Sequence, residues 1–200
     1  MKLKLHTTFI FLLSTFFCNA QNTQYDIQWQ NTIGGNSDDL LYSITPTPDG
    51  GYILGGYSNS NISGDKTENS NGDYDYWVVK IDSLGAIVWQ NTIGGSGDDV
   101  LYSITQSPDG GYVLGGFSNS NISGDKTENS NGGWDYWVVK IDSLGAIVWQ
   151  NTIGGGGGDE LNSITSSPDG GCVLGGISYS NISFDKTENS NGLQDYWVVK

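Results

Sequence analysis

The chain has 200 residues, with eight lysines, no arginine and 22 acidic residues, giving a net charge of −14 at pH 7. Such a surface repels nucleic acid and anionic lipid, whose recognition requires Lys and Arg to neutralise phosphate, so neither is expected as a partner. One histidine and two cysteines leave few groups for nucleophilic or metal chemistry.

The first twenty residues have the three parts of a secretory signal peptide. Lys2 and Lys4 supply a positive start, Thr8 to Phe17 form a short apolar stretch, and Cys18-Asn19-Ala20 offers a small-residue cleavage site before Gln21. The stretch is too short and wrongly flanked for a membrane span, although an uncleaved anchor helix is the alternative. The expectation is a signal peptide over 1–20 and a secreted or cell-surface region over 21–200, with no membrane span. Cleavage removes His6, Cys18 and two lysines, leaving six lysines against 22 acids, a net charge near −16. Without His, Arg or a cysteine pair, Ser-His-Asp and Cys-His catalysis and His or Cys zinc sites are excluded by inventory. Cys172 takes the position of Tyr52 and Tyr112 and reads as a small apolar substitute.

From Tyr25 onward the chain repeats itself. Trp29, Trp89 and Trp149 each open the string WQNTIGG at intervals of 60, and Trp77, Trp137 and Trp197 lie within DYWVVK at the same period. Within the middle copy, Leu101 to Gln106 and Gly111 to Ser118 flank Pro108-Asp109-Gly110-Gly111, whose residues suit a tight turn. Asp135 to Ile141 and Ala146 to Ile153 flank a second short connection, Asp142-Ser143-Leu144-Gly145. β-Branched and aromatic residues dominate all four segments, which predicts two hairpins per repeat.

In DYWVVKI, Asp135, Trp137 and Val139 share one face and Tyr136, Val138 and Lys140 the other. Both faces carry bulk, as in a sheet sandwiched between sheets. The pairs Gly55-Gly56, Gly115-Gly116 and Gly175-Gly176 weaken a strand unless a bulge or a close approach needs them. The fold class expected is all-β, three tandem four-stranded antiparallel repeats forming β-propeller-like blades. A linear β-array and a β-trefoil are the alternatives. Counted from Tyr25, the strands also fall into three sets of four offset by one, so the first strand could clasp the last blade. A fragment of a longer array fits equally and is preferred.

At GGYILGGYS and DYWVVKIDSLGAIVWQNTIGGSGDD, between Gly50 and Asp99, the chain resembles secreted tandem-repeat proteins of Bacteroidota. The resemblance covers essentially the whole of 21–200. It implies a propeller-like fold and export to the cell surface or medium, with type IX secretion typical of the group. Members often end in a sorting domain that this sequence lacks, which suggests truncation. It supplies no catalytic residues.

Two constellations are candidates for sites. The first is the loop Asp65-Lys66-Thr67-Glu68-Asn69-Ser70-Asn71-Gly72, followed by Asp75. Oxygens at Asp65, Asn69, Asn71 and Asp75 resemble a Ca²⁺ loop, as do Asp125, Asn129, Asn131 and Asp135, and Asp185, Asn189, Asn191 and Asp195. A solvated polar turn is the alternative, because Thr67, Thr127 and Thr187 stand where that pattern needs an Asp. The second is a rim of positions at which the repeats differ, among them 42, 57, 59 and 74 and their equivalents. It makes Trp134, Tyr74, Tyr57 and Phe117 candidate ligand-binding residues. Drift at unconstrained positions explains the same variation. The acidic pairs Asp38-Asp39, Asp98-Asp99 and Asp159-Glu160 read as solvated loop ends and not as a glycosidase acid and base. The function expected is a non-catalytic extracellular binding or scaffold module for glycan or protein. A fragment of a glycan-active enzyme and a purely structural surface array are the alternatives.

Overall fold

The structure, a computed structural model, describes residues 26–200, so the expected leader lies outside the described residues. They form eleven strands in three antiparallel sheets, with no helix among them. The first sheet holds β1 (Asp39–Pro46), β2 (Tyr52–Ser58), β3 (Asp75–Ile81) and β4 (Ile87–Ile93). The second holds β5 (Asp99–Gln106), β6 (Tyr112–Ser118), β7 (Asp135–Ile141) and β8 (Ile147–Ile153). The third holds β9 (Asp159–Ser166), β10 (Cys172–Ser178) and β11 (Asp195–Val199). Strands pair in sequence order within each sheet, so the chain is all-β with open, blade-like repeats.

The turns form for reasons visible in their residues. Gly110 adopts φ 87°, open to glycine and strained for other residues. Asp109 accepts the N–H of Gly111 at 3.0 Å and pairs with Lys140 of β7 at 2.8 Å. That Lys140 is buried, so the turn carboxylate offsets the desolvation of its ammonium. In the second connection Asp142 accepts from the N–H of Leu144 at 2.8 Å and of Ala146 at 2.9 Å.

The sheets stack face to face, and the alternation in DYWVVKI decides which neighbour each side chain meets. Tyr76 and Val78 pack with Leu101, Ile104, Leu114, Trp137 and Val139 of the second sheet. Tyr136 and Val138 pack with Leu161, Ile164 and Leu174 of the third. Tyr76 donates its hydroxyl to the Trp137 carbonyl at 2.9 Å, and Tyr136 repeats the bond to Trp197 at 3.0 Å. The paired glycines serve both expected purposes. A Cβ on Gly115 would lie 2.7 Å from Leu161 of the next sheet, and one on Gly116 would lie 1.9 Å from the Val100 carbonyl oxygen. Beside them the register slips between Leu101 and Ser103, leaving Tyr102 as a bulge; Tyr42 is bulged in the same way in β1.

The clasp, the less favoured of the two readings of the first strand, is not formed among the described residues. Residues 26–33 carry the sequence of an outer strand but do not pair with the third sheet, which has three strands. They lie against the first sheet, where Asn31 donates to the Gly85 carbonyl at 2.5 Å and Trp29 approaches Tyr52 at 6.5 Å. Asn91 and Trp89 of β4 approach Gly145 of the second sheet identically. Residues 26–33 therefore stand to the first sheet as β4 stands to the second.

Candidate functional site

Three aromatic positions recur at one end of the first two sheets, where β1 and β3 begin and β2 ends. They are Tyr42, Tyr57 and Tyr74 in the first, and Tyr102, Phe117 and Trp134 in the second. Their rings touch in a continuous U. Tyr74 meets Tyr57 at 5.2 Å, Tyr57 stacks on Tyr42 at 5.4 Å, and Tyr42 crosses to Tyr102 at 4.8 Å. Tyr102 meets Phe117 at 5.7 Å, and Phe117 meets Trp134 at 5.6 Å. These separations suit offset and edge-to-face aromatic contact. The bulge turns Tyr42 and Tyr102 out of the in–out alternation of their strands and onto this ribbon.

Hydroxyls edge the ribbon. The Tyr42 and Tyr57 hydroxyls lie 3.4 Å apart, and Tyr74 donates to Asp38 at 3.4 Å. The Tyr42 hydroxyl and burial raise the Tyr57 phenol, and burial raises those of Tyr74 and Tyr102. All three stay neutral and able to donate hydrogen bonds at any physiological pH.

At its far end the ribbon opens into a cleft of about 750 Å³. Half-exposed Trp134 and Tyr179 wall it on either side of Gly158, and Asn119 and Glu160 line it. Burial raises the Glu160 carboxyl. The third sheet has Asn162, Ile177 and Gln194 at the ribbon positions, so the aromatic surface ends at this cleft.

The four candidate aromatics, Tyr57, Tyr74, Phe117 and Trp134, thus all belong to one surface, with Phe117 buried as the backing of Trp134. Tyr42, Tyr102 and Tyr179 were not singled out by sequence. Position 42 and the Asn59 equivalent of Tyr179 vary between repeats, and the glycine pairs pointed to a bulge; which side chain it would turn outward was not legible.

The proposed calcium oxygens are placed differently. Asn69 accepts the Ile62 N–H at 3.0 Å, and Asn129 and Asn189 do the same for Ile122 and Ile182. Asp75 accepts the Asn71 N–H at 2.7 Å, as Asp135 and Asp195 do from Asn131 and Asn191. Asp125 bridges the Gly94 N–H and the Asn71 amide, both at 3.2 Å, and Asp185 bridges Gly154 and Asn131. Asp65 accepts the Gly34 N–H at 3.2 Å. The oxygens named here serve separate donors, though the buried Oδ1 atoms of Asp75 and Asp135 accept no hydrogen bond, and no group of three or more His, Cys, Asp or Glu converges among the described residues.

The loop lysine has a role that sequence did not suggest. Lys66, Lys126 and Lys186 are buried, with Nζ 5.9, 5.3 and 5.4 Å from the rings of Trp77, Trp137 and Trp197. Lys66 donates to Thr92 and Lys126 to Thr152, pinning each loop to its outer strand. Burial lowers the pKa of both Lys66 and Lys126.

Within the acidic pairs Asp38 is exposed as expected, but Asp99 and Asp159 differ. Asp99 and Asp159 are fully buried and accept from Ser120 and Ser180, as Asp39 accepts from Ser60. They are structural anchors of the inter-sheet link and not solvated loop ends.

Fold and surface together define an all-β repeat protein of stacked antiparallel sheets that presents a ribbon of aromatic rings. No family model matches the chain, and no curated protein is similar to it. No helix among the described residues is long and apolar enough to cross a membrane.

Proposed function

We propose that the chain is a non-catalytic extracellular binding module whose ligand is a glycan laid along the aromatic ribbon. The carrying observation is the unbroken run of six rings from Tyr74 to Trp134, edged by neutral hydroxyls and ending in the Trp134–Tyr179 cleft. Aromatic faces pack on the C–H faces of pyranose rings, while hydroxyl, amide and carboxylate groups at their edges bond sugar hydroxyls. The acidic surface favours neutral or basic glycans over sulfated or uronate ones. The resemblance to exported Bacteroidota repeat proteins supports the same compartment.

A glycan array followed by affinity electrophoresis tests this reading. Specific retention that Trp134→Ala weakens by about 2- to 10-fold, with the melting temperature unchanged, is expected. Uniform silence across neutral and basic glycans would leave the structural-array reading in its place.

A further inference from the structure

The two outermost faces of the stack are the two halves of its own internal interfaces. Tyr76 and Tyr136 are both completely buried against the next sheet, yet Tyr196, one period later, is 92% exposed. Val78 and Val138 are 0% and 4% exposed, against 66% for Val198. On the opposite face, Leu101 and Leu161 are fully buried while Leu41 is 54% exposed. Ile104 and Ile164 are 6% exposed, against 57% for Ile44.

Each half has its receptacle. Tyr76 packs among Leu101, Leu114, Trp137 and Val139. The residues one period earlier, Leu41, Leu54, Trp77 and Val79, line an apolar cleft of about 210 Å³ on the first sheet. Gly55 and Gly115 leave room for side chains of the next sheet, since a Cβ on them would lie 2.2 Å from Ile104 and 2.7 Å from Leu161. A Cβ on Gly175 meets nothing within 4 Å, and this glycine lies in an open groove beside Ser163, Tyr196 and Val198.

The open edge of β11 matches residues 29–33 as well. β4 joins β3 in the register Tyr76↔Ile93, Trp77↔Thr92, Val78↔Asn91. Its strand satisfies three groups of the repeat: Glu68 accepts the Thr92 N–H, Lys66 donates to Thr92, and Gln90 accepts from the Trp77 indole at 3.1 Å. Among the described residues Glu188, Lys186 and Trp197 make none of these bonds to an outer strand, and Trp29-Gln30-Asn31-Thr32-Ile33 repeats the strand that would make them.

From this complementarity we infer that a second copy of the chain docks head to tail on the third sheet. Its residues 29–33 become the fourth strand, in the register Tyr196↔Ile33 and Trp197↔Thr32. Tyr196 enters the 210 Å³ cleft of that copy and donates to its Trp77 carbonyl. Both contacts form together, because residues 26–33 already stand to the first sheet as β4 stands to the second. The interface is heterologous, so it propagates into a ring or an open stack. With every copy strongly acidic, added salt strengthens the association.

Sedimentation velocity of the purified chain over a concentration series tests the inference. A weight-average mass that rises with concentration, and more steeply in salt, is expected. Gly175→Val, whose side chain has free space in the single chain, should weaken association about 10- to 100-fold while leaving the melting temperature at low concentration unchanged. Tyr196→Ala should weaken it too. A mass that stays monomeric at all concentrations overturns the inference, as does undiminished association of Gly175→Val. A monomer whose residues 29–33 are protected from hydrogen exchange overturns it as well, because the strand is then donated within one chain.

Discussion

Lys126 shows how a charged side chain becomes a structural pin. Its stem is buried under the loop, its ammonium sits 5.3 Å from the Trp137 ring, and it donates to Thr152 on the outer strand. Three separate interactions converge on one side chain, and the stem contributes packing besides the charge. Lys126→Ala should lower the unfolding free energy by about 2 kcal/mol or more in urea titration, with Lys126→Met recovering at least half of it. The DKTENSNG string reads as a Ca²⁺ loop or a polar turn, with its lysine in solvent either way, because nothing local distinguishes a solvated lysine from one folded back over a tryptophan eleven residues later. The same limit applied to Asp99. Its burial depends on Gly95, Ser118 and Ser120 closing around it, contacts that no acidic dipeptide advertises.

At the scale of the strand, glycine positions separate two kinds of need. Gly110 has free space where a Cβ would go, and only its φ of 87° asks for glycine. Gly116 has no such angle, but its Cβ would fall 1.9 Å from a backbone oxygen of the paired strand. Gly110→Ala should therefore cost about 1 kcal/mol, whereas Gly116→Ala should cost about 3 kcal/mol by parting β5 from β6. Urea midpoints of the two variants, measured side by side, check the order. The strands themselves were legible to within two residues, since period-2 alternation and the Pro-Asp-Gly turns act locally. The glycine pairs pointed to a bulge, but not to its place at Tyr42 and Tyr102, which is set by the close approach of Gly56 and Gly116 to the paired strand. Four of the six ribbon rings were singled out at variable positions, and Tyr42 and Tyr102, the two that the bulges aim, were not.

For the whole molecule, opposed carboxyl shifts set the response to pH. Burial pushes Asp99 up to about 6 and also raises Asp75 and Asp135. An unfolded carboxyl titrates near about 4, so the folded state holds these protons more tightly, and stability falls as pH rises from about 4 through about 6. The turn aspartates act the other way. Lys200 and Ser167 lower Asp169 to about 2, Lys140 and Ser107 lower Asp109, and Thr47 and Lys80 lower Asp49. Their contribution is present above about pH 4 and is lost as pH falls below it. The melting temperature should peak between about pH 4 and 5. Asp99→Asn should flatten the decline toward pH 7, a difference on the order of 2 kcal/mol. A melting temperature that climbs steadily from pH 4 to 7 would contradict this balance.

The tilted contact of Tyr76 with Trp137 at 4.8 Å, repeated by Tyr136 with Trp197 at 5.0 Å, has an optical consequence. Both pairs span the seam between sheets and neither lies within one. Fixed, chiral chromophore pairs of this kind give near-ultraviolet circular dichroism only while the seam is closed. Their share of the aromatic signal therefore tracks docking between repeats, while the ring pairs within each sheet persist and the far-ultraviolet signal tracks the strands, so a repeat that separates with its sheet intact would dim the first and spare the others.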